Sequence, residues 1–274
     1  MSSWAEAALV ADRVLAEPPR WCQRRSYGGV FGASAVATAV LHRAVGRLGR
    51  GVDWSSRVVS SINSVAILCL YRHELGSPYD AVLRNRCERD LAMVALVGYL
   101  VVDAVLSTRE LVRRRRRLAG TYGDPLVLAH HLIIVVAFCV GIVARLATTY
   151  MAALLLNELS TPFVNIHALI RRGWTVRPPT VERLYVLNAA ALVSTYLLSR
   201  VVWTARVVAH AAFAWASLWR VGLLVGGYRL YVLVFLSALL LGHLAINLLW
   251  FAIILRKLTS HYYYYYDAKR QKAL

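Results

Sequence analysis

The stretch that most constrains this chain runs from Leu126 to Ile170, LVLAHHLIIVVAFCVGIVARLATTYMAALLLNELSTPFVNIHALI. It is apolar enough to lie in lipid. Yet His130 and His131 sit near the start of one hydrophobic run, and Asn157, Glu158, Ser160, Thr161, Asn165 and His167 sit in the next, beside Pro162. An ionisable side chain at the centre of a membrane helix costs about 2.5–3.5 kcal/mol, so each one marks a functional site by default. Pro162 removes one backbone hydrogen bond. A helix opened in this way is tolerated in a membrane where it lines a cavity.

The rest of the chain fits that environment. Hydrophobic residues make up 59% of the sequence, with a mean hydropathy of +0.53. Those values suit a multi-pass membrane protein rather than a soluble domain of this length. The formal charge is +18. Its basic residues fall mostly between the apolar runs, where they face anionic lipid head groups, and no nucleic-acid-binding motif accompanies them. The lysines, Lys257, Lys269 and Lys272, all follow the last apolar run, which excludes a Schiff base in mid-membrane. Cys22, Cys69, Cys87 and Cys139 have neither disulfide-framework nor metal-ligand spacing, so neither a metal nor a bound cofactor is expected.

The fold class predicted is all-α, a multi-pass transmembrane helical bundle of about seven spans. Residues 1–53 hold a polar N-terminal segment and a first span over Gly28 to Val45. A second, short span covers Val58 to Tyr71, extended by Ser60, Ser61 and Ser64 packing against neighbours. Further spans cover Leu91 to Ser107, Pro125 to Ala144, Thr149 to Ile170 and Leu184 to Val202. Val207 to Val225 reads as a continuation plus a re-entrant or interfacial segment, and Leu230 to Leu255 as the last span. Residues 258–274 form a tail, with Tyr262 to Tyr266 as an aromatic belt before a charged end. With seven spans, 18 basic residues flank one side and 12 the other, which puts the C-terminus in the cytosol.

The candidate site follows from the same polar residues. His130 and His131 point about 100° apart on a helix, so they are not expected to face one cavity centre together. One is a candidate general base, since histidine titrates near neutral pH; the competing role is packing near the interface. Glu158 needs a partner, and His130, His131, Arg200 and Arg145 are its candidates. Asn157, Thr161 and Asn165 recur at four-residue spacing, one polar stripe for a head group or for helix–helix contacts. Arg200 lies within its span and is expected to pair with Glu158 or Asp103. Asn188 joins the substrate-binding candidates. Arg113, Arg114 and Arg115 belong to a five-arginine run that either anchors the topology or binds phosphates. His243 and Asn247 share a helix face as a packed polar pair.

Six segments in order carry a resemblance. SRVVSSINS (Ser56–Ser64), GYLVVD (Gly98–Asp103), AHHLIIV (Ala129–Val135), NELSTPFVNIHALI (Asn157–Ile170), NAAALVSTYLLSR (Asn188–Arg200) and NLLWFAIILRK (Asn247–Lys257) resemble the conserved segments of the TLC-domain (TRAM–Lag–CLN) family. The E-L-S-T-P-F piece is the most specific. Together they span Trp54 to Lys257, a TLC-like domain of residues 54–257. Asn63 stands where the family has histidine, and the paired aspartates of the ceramide synthases are absent, so the resemblance is closer to the non-synthase branches. It implies an endoplasmic reticulum or Golgi protein that binds lipid and regulates membrane lipid composition. The alternative it implies is a ceramide-synthase-like N-acyltransferase, moving a fatty acyl group from acyl-CoA to a sphingoid base with His130, His131 and Glu158 as catalytic residues. Membrane lipids are the expected partners, acyl-CoA belongs to the second reading, nucleic acid is not expected, and a homo-oligomer is compatible with the sequence.

Overall fold

The computed structural model of the chain describes residues 25–47, 52–75, 87–114, 125–144, 147–173, 178–220 and 227–271. Helix α1 covers Arg25–Gly46, α2 Val52–Leu75, α3 Cys87–Arg114 and α4 Pro125–Ala144. Next comes a continuous helical rod in three parts: α5 (Thr148–Ala153), a 3-10 stretch (Leu154–Ser160) and α6 (Thr161–Gly173). A second three-part rod follows, made of α7 (Pro179–Tyr196), a π-helical stretch (Leu197–Val202) and α8 (Trp203–Arg220). Helix α9, Tyr228–Gln271, completes an all-α bundle.

Five helical segments are long and apolar enough to cross a membrane: Tyr27–Gly46, Asp90–Arg109, Thr148–Arg171, Pro179–Ala216 and Leu230–Ser260. Leu128–Ala144 is a shorter apolar helix. Helix α2 has 24 residues, about 36 Å at the usual rise, so it too is long enough for a ~30 Å core. Its low hydropathy is explained by its neighbours. Ser55, Ser56, Ser60 and Ser64 are all buried, so its polar atoms face protein, as the sequence suggested for the latter two. Val207 to Arg220 continue the preceding helix, as the continuation reading expected, and the remainder of that segment, 221–225, lies outside the described residues. The backbone at Tyr262 to Tyr266 also stays helical, within α9.

Helix α3 is the most buried of the candidate spans and packs on α1, α2, α4 and α5. Met93, Leu96, Val97, Tyr99 and Leu100 fill the core around it, with Phe138, Met151 and Leu155 opposite. Its contact with α1 is close. A Cβ built on Gly98 would sit 2.9 Å from the Phe31 carbonyl oxygen and 3.0 Å from Ser34 Cβ. One residue turn away, Ser34 Oγ donates to the Ala95 carbonyl oxygen at 2.6 Å. The small-residue approach thus brings a hydroxyl to backbone across two spans, as is common between membrane helices.

A methyl at Gly98 has to displace backbone, not a flexible side-chain tip. Overpacking of this kind costs about 1–3 kcal/mol, more than the ~1 kcal/mol that alanine gains over glycine in a helix. Gly98→Ala is therefore expected to lower the thermal unfolding midpoint in detergent. Gly242→Ala, which meets nothing within 4 Å, is expected to leave it unchanged or raise it. Equal midpoints for the two variants would refute the close α1–α3 contact.

Candidate functional site

Two unwound stretches face each other in the bundle. The first is explained by Pro162. Without an N–H, Pro162 cannot bond the Glu158 carbonyl, and the Thr161 N–H takes that acceptor instead in a 3-10 pattern. In the second, the Trp203 N–H reaches back to the Leu198 carbonyl, the i→i−5 bond of a π-helix. Hydroxyl groups favour the bend: Thr195 Oγ1 donates to the Ala191 carbonyl at 2.6 Å and Ser199 Oγ to the Thr195 carbonyl at 2.7 Å. The two stretches pack against one another, and Trp203 Nε1 donates to the Ala153 carbonyl at 2.7 Å.

Arg200 joins them. Its Nε donates to Ser160 Oγ at 2.7 Å and its Nη2 to Thr161 Oγ1 at 2.9 Å. Its guanidinium carbon lies 5.4 Å from the centre of the Tyr196 ring. The expected Arg200–carboxylate pair is corrected: two hydroxyls and a ring face hold the guanidinium. The candidate partners of Glu158 are corrected too. Its Oε2 accepts a hydrogen bond from Ser64 Oγ at 2.6 Å, so the carboxylate turns to α2 rather than to His130, His131 or Arg200; Arg145 lies outside the described residues. Asp103 is faced instead by His131, with 3.1 Å between Oδ2 and Nδ1, an ion-pair distance without hydrogen-bond alignment.

Asn157, Thr161 and Asn165 do not share one face. A 3-10 helix turns about 120° per residue where an α-helix turns 100°, so the stretch before Thr161 shifts the phase of everything upstream. Asn157 Nδ2 lies 2.9 Å from His243 Nε2 and donates to Thr204 Oγ1 at 3.2 Å. Thr161 meets Arg200, and Asn165 Nδ2 donates to Ser61 Oγ at 3.2 Å. Asn188 Nδ2 donates to the Phe163 carbonyl at 3.0 Å, tying α7 to α6. Arg57 Nη1 donates to Asn165 Oδ1 at 3.5 Å.

A cavity of about 390 Å³ lies between these elements. It gathers Asp103, His130, His131, Glu158, Thr161, Asn165 and Arg200 from the sequence candidates. Asn157 and Asn188 stay outside its lining and act as braces. Both histidines line the cavity, contrary to expectation, because its span covers two adjacent directions from α4. Their surroundings differ. His130 is 5% exposed and stacks on His243 at 5.2 Å, with the Trp250 ring edge-on at 4.7 Å. His131 is more open and sits beside Asp103. Arg113 and Arg114 end α3, but their side chains, and all of Arg115, lie outside the described residues.

Sequence reasoning missed Arg57, Tyr99, Tyr196, Trp250 and Lys257 as cavity residues. Tyr196 had a signal, since it precedes Arg200 by four residues. Ser64, outside the lining, had no signal as the partner of Glu158, because a serine in a small-residue run looks like any packing contact. The lining also includes apolar Leu100, Ile134, Val164, Ile253 and Ile254.

The Asn157 brace is testable without a ligand. Asn157→Leu keeps the volume but removes the partner of both Thr204 and His243, each buried. An orphaned buried group costs about 1–3 kcal/mol, so the unfolding midpoint is expected to drop clearly. An unchanged midpoint would exclude the network.

Residues 52–256 match the family of the TLC domain. TLC domain-containing protein 4-B of Danio rerio is 28% identical over 156 residues, a stretch covering 54% of this chain and 54% of that protein. The chain therefore spans about half the length of the curated relative it matches. No solved structure matches.

Proposed function

Since the chain belongs to the TLC-domain family, we propose that its cavity binds a membrane lipid and that the protein thereby regulates membrane lipid composition. One observation carries this reading: a single cavity is lined both by polar His131, Asp103, Thr161 and Arg200 and by apolar Ile134, Val164 and Ile254. An amphiphile matches such a mixed lining, its head to the polar groups and its chain to the apolar ones. Its volume falls in the ~300–1,000 Å³ range of small-molecule sites. The protein would act in the endoplasmic reticulum or Golgi membrane, with its C-terminus in the cytosol.

A second reading rests on the His131–Asp103 contact. A carboxylate lies 3.1 Å from one ring nitrogen, close enough to hold the imidazole once the two align. The other nitrogen is then free to take a proton from an amine attacking an acyl-CoA thioester. The amide forms, the thiol leaves, and the proton returns to it. Under this reading the lipid is a sphingoid base or ceramide, and Arg113 to Arg115 would meet the phosphates of acyl-CoA.

One preparation tests both. Purified protein is extracted and its lipids identified by mass spectrometry, beside Val164→Trp, which fills the cavity. Wild type is expected to carry stoichiometric lipid and the variant to lose it; lipid-free wild type would sink the proposal. In parallel, labelled acyl-CoA and sphingoid bases are supplied. Product that falls roughly 10²–10⁴-fold in His131→Ala and in Asp103→Asn, a loss typical of a general base, would establish the transferase. No product from wild type would leave the lipid-binding reading alone.

A further inference from the structure

Arg200 is 7% exposed, yet nothing that touches it among the described residues carries a negative charge. Its partners among the described residues are the hydroxyls of Ser160 and Thr161 and the ring of Tyr196. These fix the guanidinium in place without neutralising it. A buried cation is expensive unless an anion meets it. The same side chain lines the 390 Å³ cavity.

The carboxylates of that cavity are turned elsewhere. Glu158 accepts from Ser64 on α2, and Asp103 faces His131. Arg57 and Lys257 line the cavity as well. Arg57 lies near the start of α2 and Lys257 follows the apolar part of α9. Alternating helix directions bring these ends to one side of the bundle, together with the exposed Arg109 near the end of α3 and Arg171 near the end of α6. That end of the bundle is thus basic, and Arg57, Lys257 and Arg200 carry positive charge into the cavity lining.

We propose that the lipid held in this cavity has a small oxyanion head, a phosphate monoester or a carboxylate, seated on Arg200, with its chain along Leu100, Ile134, Val164 and Ile254. This rests on the lipid-binding reading and narrows it to one charge class. Guanidinium suits both anions, because its remaining N–H groups can donate to two oxygens. Lys257, at the exposed end, adds attraction on entry.

The test is equilibrium binding of radiolabelled lipids to the full-length protein in detergent. The probes are oleate and dioleoyl phosphatidate, against dioleoylglycerol and dioleoyl phosphatidylcholine. One or both anionic lipids are expected to bind about tenfold or more tightly than dioleoylglycerol, from a hydrogen-bonded charge contact. Arg200→Gln is expected to erase that preference. Arg200 also braces Ser160 and Thr161, so Lys257→Gln provides a readout independent of folding. It should weaken the anionic lipids alone, by about two- to fivefold, as expected of an exposed charge. Which of oleate and phosphatidate binds assigns the oxyanion. Neutral lipids binding as tightly as anionic ones would overturn the proposal and leave the cavity a lipid site. No binding of any probe would count against the lipid-binding reading itself.

Discussion

The structure depends on the contact between Arg200 and Ser160. Inside a membrane, backbone and side-chain polar groups must satisfy one another, because lipid offers no hydrogen bonds. Two helical rods of this bundle unwind at the same level, one tightening to 3-10 geometry and one loosening to π. Each deformation alone would expose backbone. Facing one another, they let a guanidinium reach the hydroxyl before Pro162 at 2.7 Å. Ser160 in turn donates to the Asn157 carbonyl at 3.1 Å, Asn157 meets His243, and His243 stacks on His130. One chain of contacts therefore links four separate segments and positions the cavity wall.

The two adjacent histidines have separate work because of this chain. His130 is held by aromatic faces on α9, which fix a ring but move no proton. His131, one residue on, leans away from α9 and meets a carboxylate from α3. A pair of like residues is thereby divided into a packed member and one that faces a carboxylate. The division arises from the 100° step of the helix, with neighbours of different kind on either side.

Much of this was legible in the sequence. The apolar runs gave the spans, since hydropathy and helix length act locally. Polar residues inside those runs gave seven of the residues that line the cavity, because lipid excludes them unless protein surrounds them. Their pairings were not legible. Glu158 and Ser64 are 94 positions apart, and nothing local in either indicates the other. Assigning Arg200 to a carboxylate followed charge, where the fold uses hydroxyls supplied by the turn at Pro162. The equal spacing of Asn157, Thr161 and Asn165 misled for a related reason: a regular period holds only while the helix keeps its pitch, and Pro162 changes the pitch between them.

The length of α9 has a mechanical consequence. Its apolar portion, Leu230–Ser260, has 31 residues and is about 46 Å long, against a hydrocarbon layer of ~30 Å. Tilts of up to about 40° shorten the vertical reach of a helix, though not by that much, so part of it must stand proud of the layer. Trp250, Ile253, Ile254 and Lys257 wall the cavity from its later turns. The depth of those turns is set jointly by the packing of the bundle and the thickness of the sheet it sits in. The mouth of the cavity is thus a mechanical element whose setting depends on the very membrane whose composition the protein is proposed to govern.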